Sequence, residues 1–330
     1  MEYRKLGNSD LQLSAITYGA FAIGGNMWGG NEETESIKAI QASIDHGVTT
    51  IDTAPFYGFG RSEELVGKAI AGLNRDKVQL LTKFGLVWDQ SNNAKGEYFF
   101  DAADDHGNKV PVYKYAGKES IIREVEASLK RLGTDYIDLL QIHWPDATTP
   151  IAETMETLQL FIQQGKIRAA GVSNYDLQQL QTAQQTIQLA SNQVPYSMLN
   201  RAIETDIVPY SLQNNIGIIA YSPLERGLLT GKYKTGFKLN DDDHRNGYFN
   251  QFPVDKVNLF LDAIRPLADE KGVSLSQLIL RWTTIQPGIT VVLAGARNAT
   301  QAIDNAKAMD LNITVQELAH INQTFKNTFN

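Results

Sequence analysis

Four side chains with complementary acid–base chemistry stand at or just beyond the ends of short apolar runs. Asp52 and Tyr57 lie in TTIDTAPFYG, Lys83 closes LLTKFG and His143 closes LLQIHW. Tyrosine has an ordinary pKa near ~10 and is a poor acid at neutral pH. A nearby ammonium favours the phenolate, and a carboxylate beside that ammonium keeps it charged in a partly dry cleft. The set therefore reads as Asp52 holding Lys83, Lys83 tuning Tyr57, and Tyr57 giving a proton to an oxygen. A neutral His143 imidazole would hydrogen-bond the same oxygen and orient it. Taken singly, each residue has a plainer explanation: a solvated strand-end aspartate, a lysine leaving for solvent, a satisfied core histidine. Their coincidence at the ends of separate runs favours the chemical reading.

Other chemistries find less support. The chain has no cysteine, so disulfides, thiolate metal sites and thiol nucleophiles are excluded. Its five histidines, at 46, 106, 143, 244 and 320, form no metal-binding spacing, and no metal site is expected. Nothing resembles a serine-hydrolase pair. General acid catalysis on a carbonyl remains, and it needs an electron source that protein side chains do not supply.

The elements that would position these residues repeat along the chain. Eight short β-type runs, LSAITYGA, VTTIDTA, VQLLTKFG, IDLLQIHW, IRAAGVSN, LASNQVPYS, IGIIAYSPL and ITVVLAGA, alternate with segments of helical spacing. Ile37, Ile40 and Ile44 share one helical face, as do Ile121, Ile122, Val125, Leu129 and Leu132, and Leu275, Leu278, Ile279 and Trp282. Ser274 with Gln277, Asn298 with Gln301, and Thr314 with Glu317 have capping-box spacing. Strands apolar on both faces, alternating eight times with helices, predict an α/β fold closed as a (β/α)8 TIM barrel. An open doubly wound sheet is the rival, but no G-x-G-x-x-G follows the first run. The opening YRKLGNSDLQL predicts a small N-terminal hairpin able to cover the barrel floor. Connections over roughly 85–118 and 222–258 are too long for simple turns and fall on the C-terminal face. No linker or internal repeat interrupts residues 1–330, so a single domain is expected.

Composition bounds the rest. Of 330 residues, 42% are hydrophobic and 20% charged, as in a globular protein with a large core. A net charge of −7 argues against nucleic-acid binding. The start, MEYRKLGNSD, lacks a signal-peptide apolar core, and no apolar run of about 18 residues occurs. A cytoplasmic protein with no membrane association is expected, with the monomer favoured.

GVTTIDTAPFYGFGRSEELVGKAI, LLTKFG, DYIDLLQIHWPD, AAGVSNY, YSPLERGLLTGKY and GARNATQAIDN, in this order, resemble the successive motifs of the aldo-keto reductase family. AIGGNMWGGNEETES and DTAPFYGFGRSEE resemble the bacterial branch that includes the Bacillus general-stress reductases. The resemblance spans nearly the whole chain. It implies a (β/α)8 barrel with an N-terminal hairpin, and NADPH-dependent reduction of aldehydes and ketones by direct hydride transfer.

By the same resemblance, Asp52, Tyr57, Lys83 and His143 match the catalytic tetrad, with Tyr57 as the acid in reduction. Ser173, Asn174 and Gln193 match the contacts of the nicotinamide carboxamide, and Tyr221 the aromatic that stacks on its ring. Ala20, Phe21 and Asp52 fall at the nicotinamide end. Ser222, Pro223, Leu224, Gly227 and Leu228, with Lys232, match the pyrophosphate loop. Arg297 matches the grip on the 2′-phosphate, with Arg245 as a second cation, and Gln301, Asp304 and Asn305 match adenine-side contacts. Gly295-Ala296-Arg297 replaces a lysine-bearing pattern found in other members with strong NADP preference; NADP(H) is still the expected cofactor.

Trp28, Phe56, Trp88 and Trp144 are expected to line an apolar funnel for a small-molecule carbonyl substrate, with rim packing as the alternative. Two further readings stay open on the same barrel. One is a regulatory or partner-binding protein, as the family's potassium-channel β subunits suggest; the other is a dehydrogenase working in the oxidising direction on alcohols or polyols.

Overall fold

The computed structural model describes residues 1–25, 32–88, 95–104, 106–234, 236–239 and 245–329. Two short strands, β1 (Tyr3–Lys5) and β2 (Gln12–Ser14), pair antiparallel as the expected hairpin. The first three barrel strands are β3 (Ile16–Gly19), β4 (Thr50–Asp52) and β5 (Gln79–Phe84). A small antiparallel sheet follows, made of β6 (Leu86–Val87), β7 (Glu97–Ala103) and β8 (Lys109–Lys114). The remaining barrel strands are β9 (Ile137–Ile142), β10 (Ile167–Ser173), β11 (Ser191–Pro195), β12 (Gly217–Tyr221) and β13 (Ile289–Ala294). The eight pair parallel in chain order and β13 returns to β3, closing the barrel. Each of the eight apolar runs contains one of these strands.

Burial explains the closure. All six residues of β9 are buried, because the barrel interior takes one face and the surrounding helices the other. The helix Lys118–Leu132 turns Ile121, Val125, Leu129 and Leu132 onto the barrel and ends at Gly133 in the left-handed conformation. The helix Leu275–Thr284 begins with the full Ser274–Gln277 capping box. Thr314 and Glu317 likewise exchange hydrogen bonds at the start of Val315–Phe329.

The hairpin closes the floor. Leu6, Leu11 and Leu13 join Leu81, Leu139, Ile219 and Val291 in one buried cluster inside the barrel. The turn comes so close to the strand starts that a Cβ on Gly7, itself at φ +49°, would lie 2.4 Å from the Ala190 carbonyl oxygen.

The first long connection differs from a plain loop: residues 86–114 contain β6, β7 and β8, in the order β6-β8-β7. The second contains the 3-10 helix Glu225–Thr230 and the short helix Arg245–Phe249, ahead of the helix Val254–Glu270. Among the described residues, no helix is long and apolar enough to cross a membrane.

Candidate active site

Asp52 ends β4, and the chain turns sharply to bring Tyr57 back over the barrel mouth. The turn is tight because Gly24 and Gly58 pass backbone to backbone: a Cβ on Gly58 would fall 2.1 Å from the Gly24 carbonyl oxygen. Ser62 pins the turn from beneath, donating to the Ala20 carbonyl at 2.9 Å and sharing a 2.9 Å bond with Thr53 Oγ1.

Lys83, near the end of β5, is the hub. Its side chain is 1% exposed. Nζ donates to Asp52 Oδ1 at 2.6 Å, to the Thr53 carbonyl at 3.0 Å and to the Tyr57 hydroxyl at 3.1 Å. These three acceptors satisfy all three ammonium protons. His143 follows β9, its ring edge-on to Tyr57 with centroids 5.5 Å apart, and Phe21 tilts against Tyr57 at 4.7 Å. The four tetrad candidates thus converge.

Electrostatics refine the expectation. Burial works against the Lys83 ammonium, yet Asp52 and Tyr57 together hold it above the ordinary lysine value. Burial also pushes the Tyr57 phenol up; Lys83 pulls it back, but not below its ordinary value, and Asp52 adds to the rise. The expected acidification of the phenol is thereby corrected: the lysine's influence has the expected direction, and desolvation outweighs it. Burial, helped by the Lys83 charge, holds His143 well below the ordinary histidine range, so its imidazole is neutral.

The polar residues on the next strand ends form one connected group. Gln193 Nε2 donates to Asp52 Oδ2 at 2.8 Å. Ser173 Oγ donates to the Gln193 carbonyl at 2.9 Å, and Asn174 Nδ2 donates to the His143 carbonyl at 3.0 Å. The Tyr221 hydroxyl donates to Asn174 Oδ1 at 2.8 Å. Gln141, which the sequence reading passed over, is fully buried inside the barrel beside Asp52 and Gln193. Its position in an apolar run was the available signal.

Beyond Tyr221 the backbone is strained. Ser222, Glu225 and Arg226 take φ of 56°, 47° and 53°, with Gly227 at 98°. Non-glycine residues held left-handed in this way cluster at ligand clamps and cost about 1–3 kcal/mol each. Pro223 and Leu228 are buried within this stretch, Leu224 is half-buried and Lys232 is exposed. Glu225, also unanticipated, is buried and accepts from the Ser197 and Tyr248 hydroxyls; burial raises its carboxyl. The Arg245 guanidinium donates to the Tyr233 hydroxyl at 2.7 Å.

At the far end, the helix Ala299–Lys307 starts after Asn298, whose Oδ1 accepts from the Gln301 N–H at 2.9 Å. Only half of the capping box forms, because Gln301 Oε1 takes the Arg297 N–H at 2.9 Å instead. Asn305 Nδ2 donates to the Gly295 carbonyl at 3.0 Å. Asp304 is engaged by the scaffold, accepting from Gln277 at 2.8 Å and Ser274 at 3.2 Å.

Of the expected funnel residues, Trp28 lies outside the described residues. Phe56, Trp88 and Trp144 belong to an aromatic cluster beside Tyr57. The small sheet adds Phe99 and Phe100, which the sequence reading missed. A shallow cleft between the 58–64 turn and this sheet reaches Trp88 and His106 and lies to one side of the tetrad. No cluster of metal-ligating side chains occurs among the described residues.

Known proteins resemble the chain in sequence and in fold. The sequence pattern of the Aldo/keto reductase family matches residues 15–325. The chain is 39% identical to aldo-keto reductase YhdN of Bacillus subtilis, covering 99% of this chain and 95% of that protein. It is 36% identical to the NADH-specific methylglyoxal reductase of Escherichia coli, covering 94% of each. Among solved structures, the glycerol dehydrogenase AKR11B4 of Gluconobacter oxydans superposes with a TM-score of 0.87 at 35% identity, over 99% of this chain and 96% of that one. An aldo-keto reductase of Klebsiella pneumoniae in complex with NADPH superposes at 0.73 with 30% identity, over 98% and 95%. A match running from the first barrel strand into the last helix, on a barrel of the same closure, places the chain in the aldo/keto reductase family.

Proposed function

We propose that the protein reduces the carbonyl group of aldehydes or ketones to an alcohol, using NADPH, with Tyr57 as the proton donor. The observation that carries this reading is the Lys83 ammonium, buried and bonded to both Asp52 and the Tyr57 hydroxyl.

The residues fit a nicotinamide cofactor. Ser173, Asn174 and Gln193 offer short polar groups at neighbouring strand ends, suited to a carboxamide. Ala20 and Phe21 border the same mouth, and Tyr221 presents a ring held by Asn174. The strained turn from Ser222 through Gly227, followed by Leu228 and Lys232, suits a pyrophosphate. Arg297, with Arg245 as a second cation, would hold the 2′-phosphate. Gln301 and Asn305 would meet the adenine side, where Asp304 is secondary because Gln277 and Ser274 already engage it.

NADPH, when bound, supplies the hydride to the carbonyl carbon. The protein's own part concerns the oxygen. Tyr57 and the neutral His143 meet edge-on at the mouth, and the imidazole has no hydrogen-bond partner among the described residues. A carbonyl oxygen within reach of the Tyr57 hydroxyl and the His143 ring N–H would accept a hydrogen bond from each. As negative charge develops there, the proton leaves Tyr57 Oη for that oxygen. The phenolate left behind is stabilised by Lys83 at 3.1 Å, whose charge Asp52 sustains. The same atoms serve alcohol oxidation with the proton moving back to Tyr57; the likeness to a glycerol dehydrogenase favours including that direction.

The test follows NADPH and NADH oxidation against an aldehyde panel, with wild type beside Tyr57→Phe. Loss of a positioned acid should lower turnover by about two to four orders of magnitude. Equal turnover in the two proteins would remove Tyr57 from the chemistry. Both cofactors are needed because the E. coli relative is NADH-specific whereas the Klebsiella structure holds NADPH.

A further inference from the structure

The strand β7 carries an irregularity with a chemical consequence. Tyr98 pairs with Tyr113 and Phe100 with Val112, leaving Phe99 without a partner in the register: a β-bulge. In a regular strand, consecutive side chains point to opposite faces. Here Phe99 and Phe100 turn to the same face, their rings 5.0 Å apart, and both enter the aromatic cluster beside Tyr57. Tyr98 stays on the outer side, 54% exposed.

The bulge gives each phenylalanine a partner next to a tetrad residue. Phe100 packs edge-on against Phe56, centroids 5.7 Å apart, and Phe56 precedes Tyr57. Phe99 packs against Trp144 at 5.4 Å, and Trp144 follows His143. Phe99 has a charged neighbour as well. The Lys114 ammonium lies 5.2 Å from its ring centroid, and Glu97 fixes that ammonium with a 2.8 Å ion pair. Both Phe99 and Trp144 remain half-buried, so neither ring is sealed in the core, and Trp144 is the chain neighbour of His143.

We infer that Phe99, re-aimed by the bulge, forms with Trp144 the outer wall of the substrate site and selects carbonyl compounds bearing a flat aromatic group over small aliphatic ones. This rests on the carbonyl-reductase reading and adds a substrate class and a specificity residue to it. Ring pairs gain from edge and face contacts that an alkyl group does not reproduce. Phe99 touches none of the reacting atoms, so its influence is on binding rather than on the proton transfer.

The experiment compares wild type with Phe99→Leu, which keeps most of the apolar volume and loses the ring. Benzaldehyde and propanal are reduced with NADPH, and benzamide and propionamide, carbonyl analogues that resist reduction, are titrated calorimetrically onto the protein saturated with NADP. In Phe99→Leu, KM for benzaldehyde and Kd for benzamide should each rise roughly five- to tenfold, with propanal kinetics unchanged. Parallel loss for both aldehydes, or no change in either, would overturn the assignment of Phe99. If wild type turns over neither aldehyde, the reductase reading fails for these substrates and the amide titration still decides: benzamide preference lost in the variant supports the wall, and equal binding of both amides overturns it.

Discussion

Lys83 Nζ lies 3.1 Å from the Tyr57 hydroxyl and donates to it, in surroundings where burial alone would drive the phenol toward the protonated form. This pairing does not make Tyr57 a strong resting acid. It lowers the cost of the phenolate at the moment the proton leaves. Tyr57 is therefore protonated across the neutral range and available for reduction, whereas oxidation of an alcohol needs it deprotonated. Reduction should stay level at neutral pH and fall as pH climbs through the phenol's raised value; oxidation should rise over the same interval. Lys83→Met should move both limbs further up in pH and lower turnover by at least ~100-fold, read from pH–rate profiles in the two directions. Unmoved limbs would detach Lys83 from Tyr57.

Asp52 is needed for Lys83 to stay charged. In wild type the lysine's folded value is above its ordinary one, so the stability from this pairing is fully present below about pH 10 and is lost only as pH rises through the folded value. Asp52→Asn leaves burial largely unopposed and draws the ammonium's pKa down. The unfolded chain then binds the proton better, so stability should rise with pH from about 7 to about 9, where wild type stays flat. Urea denaturation at both ends of that range reads the sign, and at neutral pH the loss should be about 3–5 kcal/mol.

His143 is held neutral by burial and by the Lys83 charge. Its folded pKa is depressed, so its contribution to stability is present above the ordinary histidine value near ~6.5 and is lost as pH falls below it. The His143 ring signals in an NMR titration should show no protonation between about pH 8 and about pH 6. Protonation at the ordinary value would contradict the orienting role assigned to a neutral imidazole.

Arg297 should discriminate between cofactors. Only NADPH carries the 2′-phosphate, and a charge-assisted contact to it is worth roughly a 10- to 100-fold difference in affinity. Arg297→Ala should therefore weaken NADPH binding by that amount and change NADH little, measured by fluorescence titration. Equal losses would place the phosphate on other residues.

Gly7 tests the floor. Its left-handed backbone and the Ala190 oxygen 2.4 Å from an added Cβ predict that Gly7→Ala costs about 1–3 kcal/mol or more of stability while leaving KM for NADPH unchanged. Urea midpoints alongside kinetics separate the two effects.

The barrel was legible because its strands are buried on both faces and its helices carry regular apolar stripes. The strand β9 and the helix Lys118–Leu132 are plain in residue type alone. The convergence of Asp52, Tyr57, Lys83 and His143 was legible because strand ends in a closed barrel meet on one face. The small sheet was not: its bulge breaks the alternation at Phe99, and the whole stretch of roughly 85–118 reads as one long connection. Burial of a polar group is also invisible in a linear pattern. That is why Gln141 and Glu225 were passed over, and why the net upward shift of the Tyr57 phenol ran against the charge argument. Gln301 shows the limit of motif spacing, since its side chain has two nearby N–H groups to choose from and takes that of Arg297.

The hairpin has a consequence for biogenesis. Its leucines rest on Ile219 and Val291, and Arg4 donates to the carbonyls of Thr284, at 2.7 Å, and Thr290, at 3.2 Å. During translation Arg4 and Leu6 through Leu13 must wait for Ile219 and for Thr284 through Val291 before they find these native neighbours. Contacts of such long sequence separation form slowly. The hairpin is thus exposed to proteases and chaperones until those partners have been made, and its docking marks the closing of the barrel floor.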